Sequence, residues 1–295
     1  MAQTNFIPSS TGTATLKRGD RSIGAVLIDA GRLKADDAEL ILRAQIEQDL
    51  RFGDAAIRLG LLTQADIEFA LLRQFNYPCL VRGESTVSEK LVAAYTSSGV
   101  QLEALRALRS QLMLRWFDHE PGRKALAIVS GERREGRSYI AANLAVVFSQ
   151  LGERTLLIDA DMRHLCQHAL FGLSNRAGLS AVLSGRGGPE LIQRVPGLVD
   201  PSVLIAGALP PNPLELLAQP LFPHLLKELG EKFDIILLDA PAAAEYADAQ
   251  TVAVRAGAAL IVARKNVARM WRVRGVSDSV AHASATVVGT VLNDF

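Results

Sequence analysis

One stretch, from Ala125 to Arg163, constrains the fold more than any other part of this chain. An apolar run, Ala125-Leu-Ala-Ile-Val-Ser130, leads into Gly131-Glu-Arg-Arg-Glu-Gly136-Arg137-Ser138, and a helix-like segment follows. Then comes a second apolar run, Thr155-Leu-Leu-Ile-Asp159-Ala-Asp161-Met-Arg163. A glycine-bounded loop that leaves a strand and opens a helix is the context a phosphate-binding loop requires. Its backbone N–H groups and the positive end of the helix face an anion together. Asp159 and Asp161 emerge at the C-terminal end of the second strand, where the ligands of parallel sheets sit. A third run, Phe233-Asp-Ile-Ile-Leu-Leu-Asp239-Ala-Pro241, also ends in an aspartate. Such an arrangement holds a nucleoside triphosphate and its Mg²⁺, with Ser138 and the aspartates toward the metal. Gly131, Glu135, Gly136, Arg137, Ser138 and Tyr139 form the loop and its exit, although Tyr139 also reads as a packing residue. Arg137 stands where such loops carry lysine, and its planar fork is not a compact point charge.

Strands alternating with helical stretches predict an α/β domain from about residue 121 to 295, of the P-loop NTPase type. Its sheet should be mostly parallel with helices on both faces. Ahead of it the chain divides into a tail (1–20), a small helical repeat domain (21–80) and a linker with a helix (81–120). Lys plus Arg number 32 against 31 Asp plus Glu, and the first 120 residues hold 14 basic and 15 acidic side chains. That balance lacks the basic stripe of a nucleic-acid binder. Cys79 and Cys166 stand alone, with no zinc spacing, which suits a reducing cytoplasm. No apolar run approaches the ~20 residues of a membrane span, so a membrane association is expected to come through a partner.

The N-terminal region repeats itself. Residues 22–45 and 51–74 align with identities at Gly24/Gly53, Ile28/Ile57, Gly31/Gly60, Leu33/Leu62, Asp37/Asp66, Glu39/Glu68, Leu42/Leu71 and Gln45/Gln74. Each copy reads as a short helix, a glycine that ends it, and a second helix. Thr63 with Asp66 forms a cap for the later helix of the second copy. The pattern resembles the N-terminal domains of type II secretion and pilus ATPases, in particular the MshE type, which bind cyclic di-GMP. The resemblance implies a site built from Arg21, Gly24, Gly31, Gln45, Arg51, Gly53, Gly60 and Gln74. Glycine backbone admits a phosphate closely, and arginine forks onto phosphate or guanine edges. The first copy departs from the pattern, with Ser22 in place of arginine and Ala38 in place of leucine. A helical docking module without a ligand fits the same residues.

Phe75-Asn-Tyr-Pro78 breaks the helical period. From Ser98 a helix is predicted, its apolar side supplied by Leu102, Leu105, Leu108, Leu112 and Leu114. Glu103, Arg106 and Arg109 share one face of it, where Glu103 and Arg106 are spaced to pair. Trp116-Phe117 reads as an apolar anchor.

The α/β segment resembles the bacterial tyrosine kinases, relatives of the MinD/ParA ATPases. The resemblance rests on Leu157-Ile-Asp159-Ala-Asp161-Met-Arg163, on Glu103, Arg106 and Arg109, and on Val203 to Leu217. Within that family the likeness is to EpsG-type exopolysaccharide chain-length determinant kinases, on Ala141–Ala145, Val291–Phe295 and the N-terminal repeats. Arginine in the loop is a trait of that subgroup. The resemblance implies an ATP- and Mg²⁺-dependent tyrosine kinase that regulates exopolysaccharide chain length. It implies Asp159 as general base or metal-shell carboxylate, Asp161 and Asp239 toward Mg²⁺, and Arg137 toward the γ-phosphoryl. Asn293 is an adenine contact or an ordinary strand-end asparagine. It further implies a homo-oligomer joined through Glu103, Arg106 and Arg109, and a membrane-embedded, Wzz-like chain-length partner. The expected location is the cytoplasmic side of the inner membrane. The four tyrosines are Tyr77, Tyr95, Tyr139 and Tyr246, so the C-terminal tyrosine cluster common in such kinases is missing. A MinD/ParA-like ATPase switch and a nucleotide-holding scaffold remain as alternatives. His164 and His168, four apart on a predicted helix, lack a third ligand and are read as non-metal histidines. Arg264-Lys265 reads as a solvated strand end.

Overall fold

The computed structural model describes residues 22–74, 79–120, 122–199 and 201–294. Arg21 and the Phe75–Pro78 break lie outside them. The chain separates into two compact units, Met1–Tyr77 and Pro78–Phe295.

The first unit is built from four helices: α1 (Ile23–Asp29), α2 (Ala35–Gln48), α3 (Phe52–Arg58) and α4 (Gln64–Gln74). The duplication is visible in the backbone. Gly31 and Gly60 take φ of +68° and +70°, the left-handed conformation that ends a helix and that glycine adopts at little cost. The same pair of bonds follows in both copies: Gly31 N–H donates to Ile28 and Arg32 N–H to Leu27, and Gly60 N–H donates to Ile57 and Leu61 N–H to Ala56. The helices then pair crosswise, α1 with α4 and α2 with α3. One shared core results, with Leu27, Ile41, Ala56 and Ala70 buried. Thr63 and Asp66 cap each other at 2.6 Å as their spacing predicts, and Arg32 donates to Asp66 at 2.9 Å, joining the copies.

The second unit contains a seven-stranded sheet: β1 (Ala125–Ser130), β2 (Thr155–Asp159), β3 (Gln193–Arg194), β4 (Pro201–Leu204), β5 (Ile235–Ala242), β6 (Ala258–Arg264) and β7 (Thr286–Asn293). The order is β3-β4-β2-β5-β1-β6-β7, parallel except for β3. Residues alternate between two cores because successive strand side chains point to opposite faces. Leu126 and Ile128 of β1, with Leu237 of β5, join one core; Ala127, Val129 and Leu238 join the other. Helices cover both faces, as the alternation of segments predicted. On one lies α7 (Arg137–Ser149), buried on nearly every side and correspondingly apolar all round. On the other lie α11 (Leu221–Lys232), α12 (Asp248–Ala256) and α13 (Met270–His282).

The segment read from sequence as a linker is packed into this unit. Two short pieces, α5 (Val92–Tyr95) and α6 (Val100–Leu112), cross the outer side of α7. Ala93 N–H donates to Asn143 Oδ1, Gln150 Nε2 donates to Ala93 O, and Arg109 Nη1 donates to Val147 O at 2.9 Å. Leu102, Leu105 and Leu112 are buried there as expected, but Leu114 is 68 % exposed. The reason is that α6 passes into a π-helical turn, Met113–Phe117, which shifts the face presented inward. Trp116 and Phe117 are turned into the core instead, and Trp116 Nε1 donates to Ala125 O at 2.9 Å. The anchor reading of that pair therefore holds.

Candidate nucleotide site

The site lies where β1, β2 and β5 end side by side. The register places Asp159 of β2 directly opposite Asp239 of β5, and both are fully buried. Asp161, two residues beyond β2, is 1 % exposed. The loop from Gly131 to Gly136 leaves β1 beside them and turns into α7 with two left-handed residues, Arg134 (φ +62°) and Gly136 (φ +91°). The order of these parts along the chain predicted that they would meet, and they do.

Arg137 does more than its position in the loop suggests. Its Nη1 donates to Ser130 Oγ at 2.8 Å, its Nη2 to Asp161 Oδ2 at 3.0 Å and its Nε to Asp239 Oδ1 at 3.2 Å. At 8 % exposure the guanidinium is an internal counter-ion, with every nitrogen bonded. A planar fork suits that geometry, where an ammonium would meet the carboxylates as a point. Ser138 follows Arg137 as the second residue of α7, and its backbone O accepts from Gln167 Nε2 at 3.1 Å. The Glu135 carboxylate, itself buried, accepts the Glu132 N–H at 3.0 Å inside the loop, and burial pushes its pKa up.

Asp159 is the strained member. Burial, then the charges of Asp239 and Asp161, push its pKa well above the usual carboxylate range. Its Oδ2 accepts Gln167 N–H at 3.3 Å, while its Oδ1 is buried with no partner. Burial also raises Asp239, against the opposing pull of Arg137. A buried, orphaned carboxylate oxygen beside two further carboxylates and a hydroxyl is an oxygen-only donor set of the kind Mg²⁺ takes. Ser138, Asp161 and Asp239 are the residues to hold it. Among the described residues, however, no three such side chains converge in metal-ligand geometry, since the guanidinium lies between them.

Other predicted residues fall into place differently. Asn293 ends β7 and is buried, its Nδ2 donating to Glu135 O at 3.0 Å, so it braces the loop from an edge strand 158 residues away. Tyr139 packs against the core beneath α7. His164 and His168 do not share a helix: α8 (Gln167–Phe171) begins after His164, which lies in a turn held by Asp161, the acceptor of its N–H at 2.9 Å. His164 Nδ1 lies 3.5 Å from Asp161 Oδ1 instead. Arg264 ends β6, and Lys265 pairs with Asp294 on the surface. Glu103 and Arg106 pair at 2.6 Å, whereas Arg109 points inward to α7.

Gln167 was not legible in the sequence. It is fully buried and reaches all three parts of the site, with its N–H on Asp159, and its Nε2 on Asp239 at 2.8 Å and Ser138 O at 3.1 Å. The one signal for it is a polar residue in an otherwise apolar turn of helix. Arg163 was quoted only as part of a motif, yet it forks onto Asp248 at 2.7 Å and lies 3.9 Å from the Tyr246 ring centroid.

No family model matches the chain. Individual proteins do. Tyrosine-protein kinase YwqD of Bacillus subtilis is 30 % identical over 209 residues, which cover 71 % of this chain and 87 % of YwqD. The chain belongs to the bacterial tyrosine-protein kinase family. Among the family's members, ptk of Acinetobacter johnsonii is 33 % identical over 208 residues, 69 % of this chain but 28 % of ptk. The chain thus spans under a third of that kinase's length. The kinase domain of the Escherichia coli tyrosine kinase ETK superposes with a TM-score of 0.65 at 28 % identity, covering 75 % of this chain and 85 % of that domain. Among the described residues no helix is long and apolar enough to cross a membrane.

Proposed function

We propose that the chain is an ATP- and Mg²⁺-dependent protein-tyrosine kinase that regulates exopolysaccharide chain length and export. The observation that carries this reading is the orphaned, upshifted carboxylate of Asp159 at the mouth of a phosphate-binding loop. An acid whose pKa is raised toward neutrality is matched to taking a proton from an attacking hydroxyl. In the reaction, the phenolic oxygen of a tyrosine attacks the γ-phosphorus, the bond to the bridging oxygen breaks, and ADP leaves. The phenolic proton passes to Asp159. Ser138, Asp161 and Asp239 hold Mg²⁺, which neutralises phosphate charge when bound. Arg137, freed from the carboxylates, serves the γ-phosphoryl, where charge spreads in a loose transition state. Asn293 keeps the loop in shape through Glu135 O.

The kinase works on the cytoplasmic side of the inner membrane with a membrane-embedded, Wzz-like chain-length protein. It forms a homo-oligomer through the face of Glu103, Arg106 and Arg109; the Glu103–Arg106 pair supports that face, while Arg109 anchors it on α7 through Val147 O. The membership is EpsG-type, with an MshE-like N-terminal domain. That domain binds cyclic di-GMP, with exposed Arg51 supplying charge and the helix-ending Gly60 open backbone. Gly24 and Gly53 serve packing in it: a Cβ there would meet Phe52 at 3.3 Å and Ile67 at 3.2 Å.

Labelled ATP, given to the purified protein with the partner's tail, tests the reading. Phosphotyrosine supports it, free phosphate alone points to an ATPase switch, and neither points to a scaffold. Titration calorimetry with cyclic di-GMP tests the N-terminal domain; no heat where a control domain binds would retire that ligand.

A further inference from the structure

The nucleotide-site reading leaves one feature unexplained: the loop's own arginine lies where that reading needs a metal ion. Arg137 binds Asp161, Asp239 and Ser130 with its three nitrogens and is nearly inaccessible to water. Asp161 and Asp239 are two of the oxygen donors available to a divalent cation, and Ser138, next to Arg137 in the first turn of α7, is the third. A guanidinium and a divalent ion carry the same sign of charge and compete for the same lone pairs. Both cannot be accommodated within 3.2 Å of these oxygens without strong repulsion in a poorly screened interior.

We propose that Arg137 is an internal cation that closes the metal seat in the nucleotide-free protein, so that free Mg²⁺ is excluded until a triphosphate draws the arginine out. The γ- and β-phosphates offer the guanidinium a bidentate acceptor at least as good as the two carboxylates. Once it turns toward them, Asp161, Asp239 and Ser138 are vacated together. The loop then admits a cation only in company with an anion. Asp159 fits the same logic, since its buried Oδ1 faces no donor in the closed arrangement. Nucleotide and metal are coupled here through competition with one side chain, and that coupling is reciprocal. The inference rests on the nucleotide-site reading and is separable from it by experiment.

Mn²⁺ binding, read by electron paramagnetic resonance without nucleotide, tests it. The wild type should bind Mn²⁺ weakly, and Arg137→Ala should bind it at least roughly tenfold more tightly, a coupling within the usual range. Arg137→Lys should lie between them. Equal Mn²⁺ affinity in wild type and Arg137→Ala overturns the proposal. A second measurement needs only the assignment of one signal and no destabilised variant. In isotope-labelled arginine, the Arg137 Nε–H resonance of the wild type should ignore Mg²⁺ alone and move when a non-hydrolysable ATP analogue is added without metal. A response to Mg²⁺ alone removes the internal-cation role. Silence even with the analogue and Mg²⁺ together removes the underlying nucleotide-site reading instead.

Discussion

Arg137 Nε donates to Asp239 Oδ1 across 102 residues of sequence, tying the first turn of α7 to the end of β5. The same guanidinium neutralises Asp161, so its loss strands two buried carboxylates. Breaking a buried pair by removing one partner is expensive, and Arg137→Ala should lower stability by about 3 kcal/mol near neutral pH. Without the arginine Asp239 loses the pull that opposes its burial and holds its proton more tightly in the folded state. The deficit should therefore shrink as pH falls toward the ordinary carboxylate range. Denaturant unfolding of both proteins across pH measures this; a deficit independent of pH contradicts it.

Asp159 titrates above its ordinary value of 3.8 in the folded protein. Its contribution to stability is then fully present below that value and is lost as pH rises through the folded pKa. Asp159→Asn carries no such charge. The variant should unfold with a flatter pH dependence above 3.8 and should be no less stable than wild type once wild-type Asp159 is ionised. Phosphotyrosine formation should vanish in it. Transfer that persists unchanged takes Asp159 out of the base role.

Asp234 moves the other way. Arg154 forks onto it at 2.9 and 2.7 Å and holds its pKa at about 2. That stabilisation is present above 3.8 and is lost as pH falls through about 2. Arg154 is 60 % exposed, so water screens the pair, and Arg154→Gln should change stability little. The Asp234 carboxyl titration, followed by nuclear magnetic resonance, should rise toward 3.8 in the variant. An unmoved titration means the arginine is not its cause.

Gly178 approaches the strand-end backbone so closely that a Cβ would fall 2.0 Å from Ile205 O. Neither atom is a movable side-chain tip, so Gly178→Ala should destabilise by about 2 kcal/mol or more. Gly31→Ala, whose Cβ would meet nothing, should cost only the strain of its left-handed φ, about 1 kcal/mol. Thermal melts that rank the two in reverse order would count against backbone crowding as the cause.

The legible parts of this fold were those written in local chemistry. Alternating apolar runs specify strands that bury both faces, and Gly131 to Ser138 specifies a turn onto a helix. Glycines at matching places in residues 22–45 and 51–74 specify two equal helix ends. Leu114 escaped the reading because it lies within a π-helical turn, Met113–Phe117, which leaves no mark on apolar spacing. The histidines escaped because Asp161 captures the backbone of His164 in a turn and delays the helix to Gln167.

Which residues carry charge at the site was settled by the sequence alone: three aspartates at strand ends and an arginine in the loop. Where each sits was set by the sheet. Only the parallel register of β2 against β5 sets Asp159 opposite Asp239, and only burial turns that closeness into an upshifted acid. Gln167 and Asn293 join them from α8 and β7, because hydrogen-bond partners in a folded interior are chosen by proximity in space, which residue spacing does not encode.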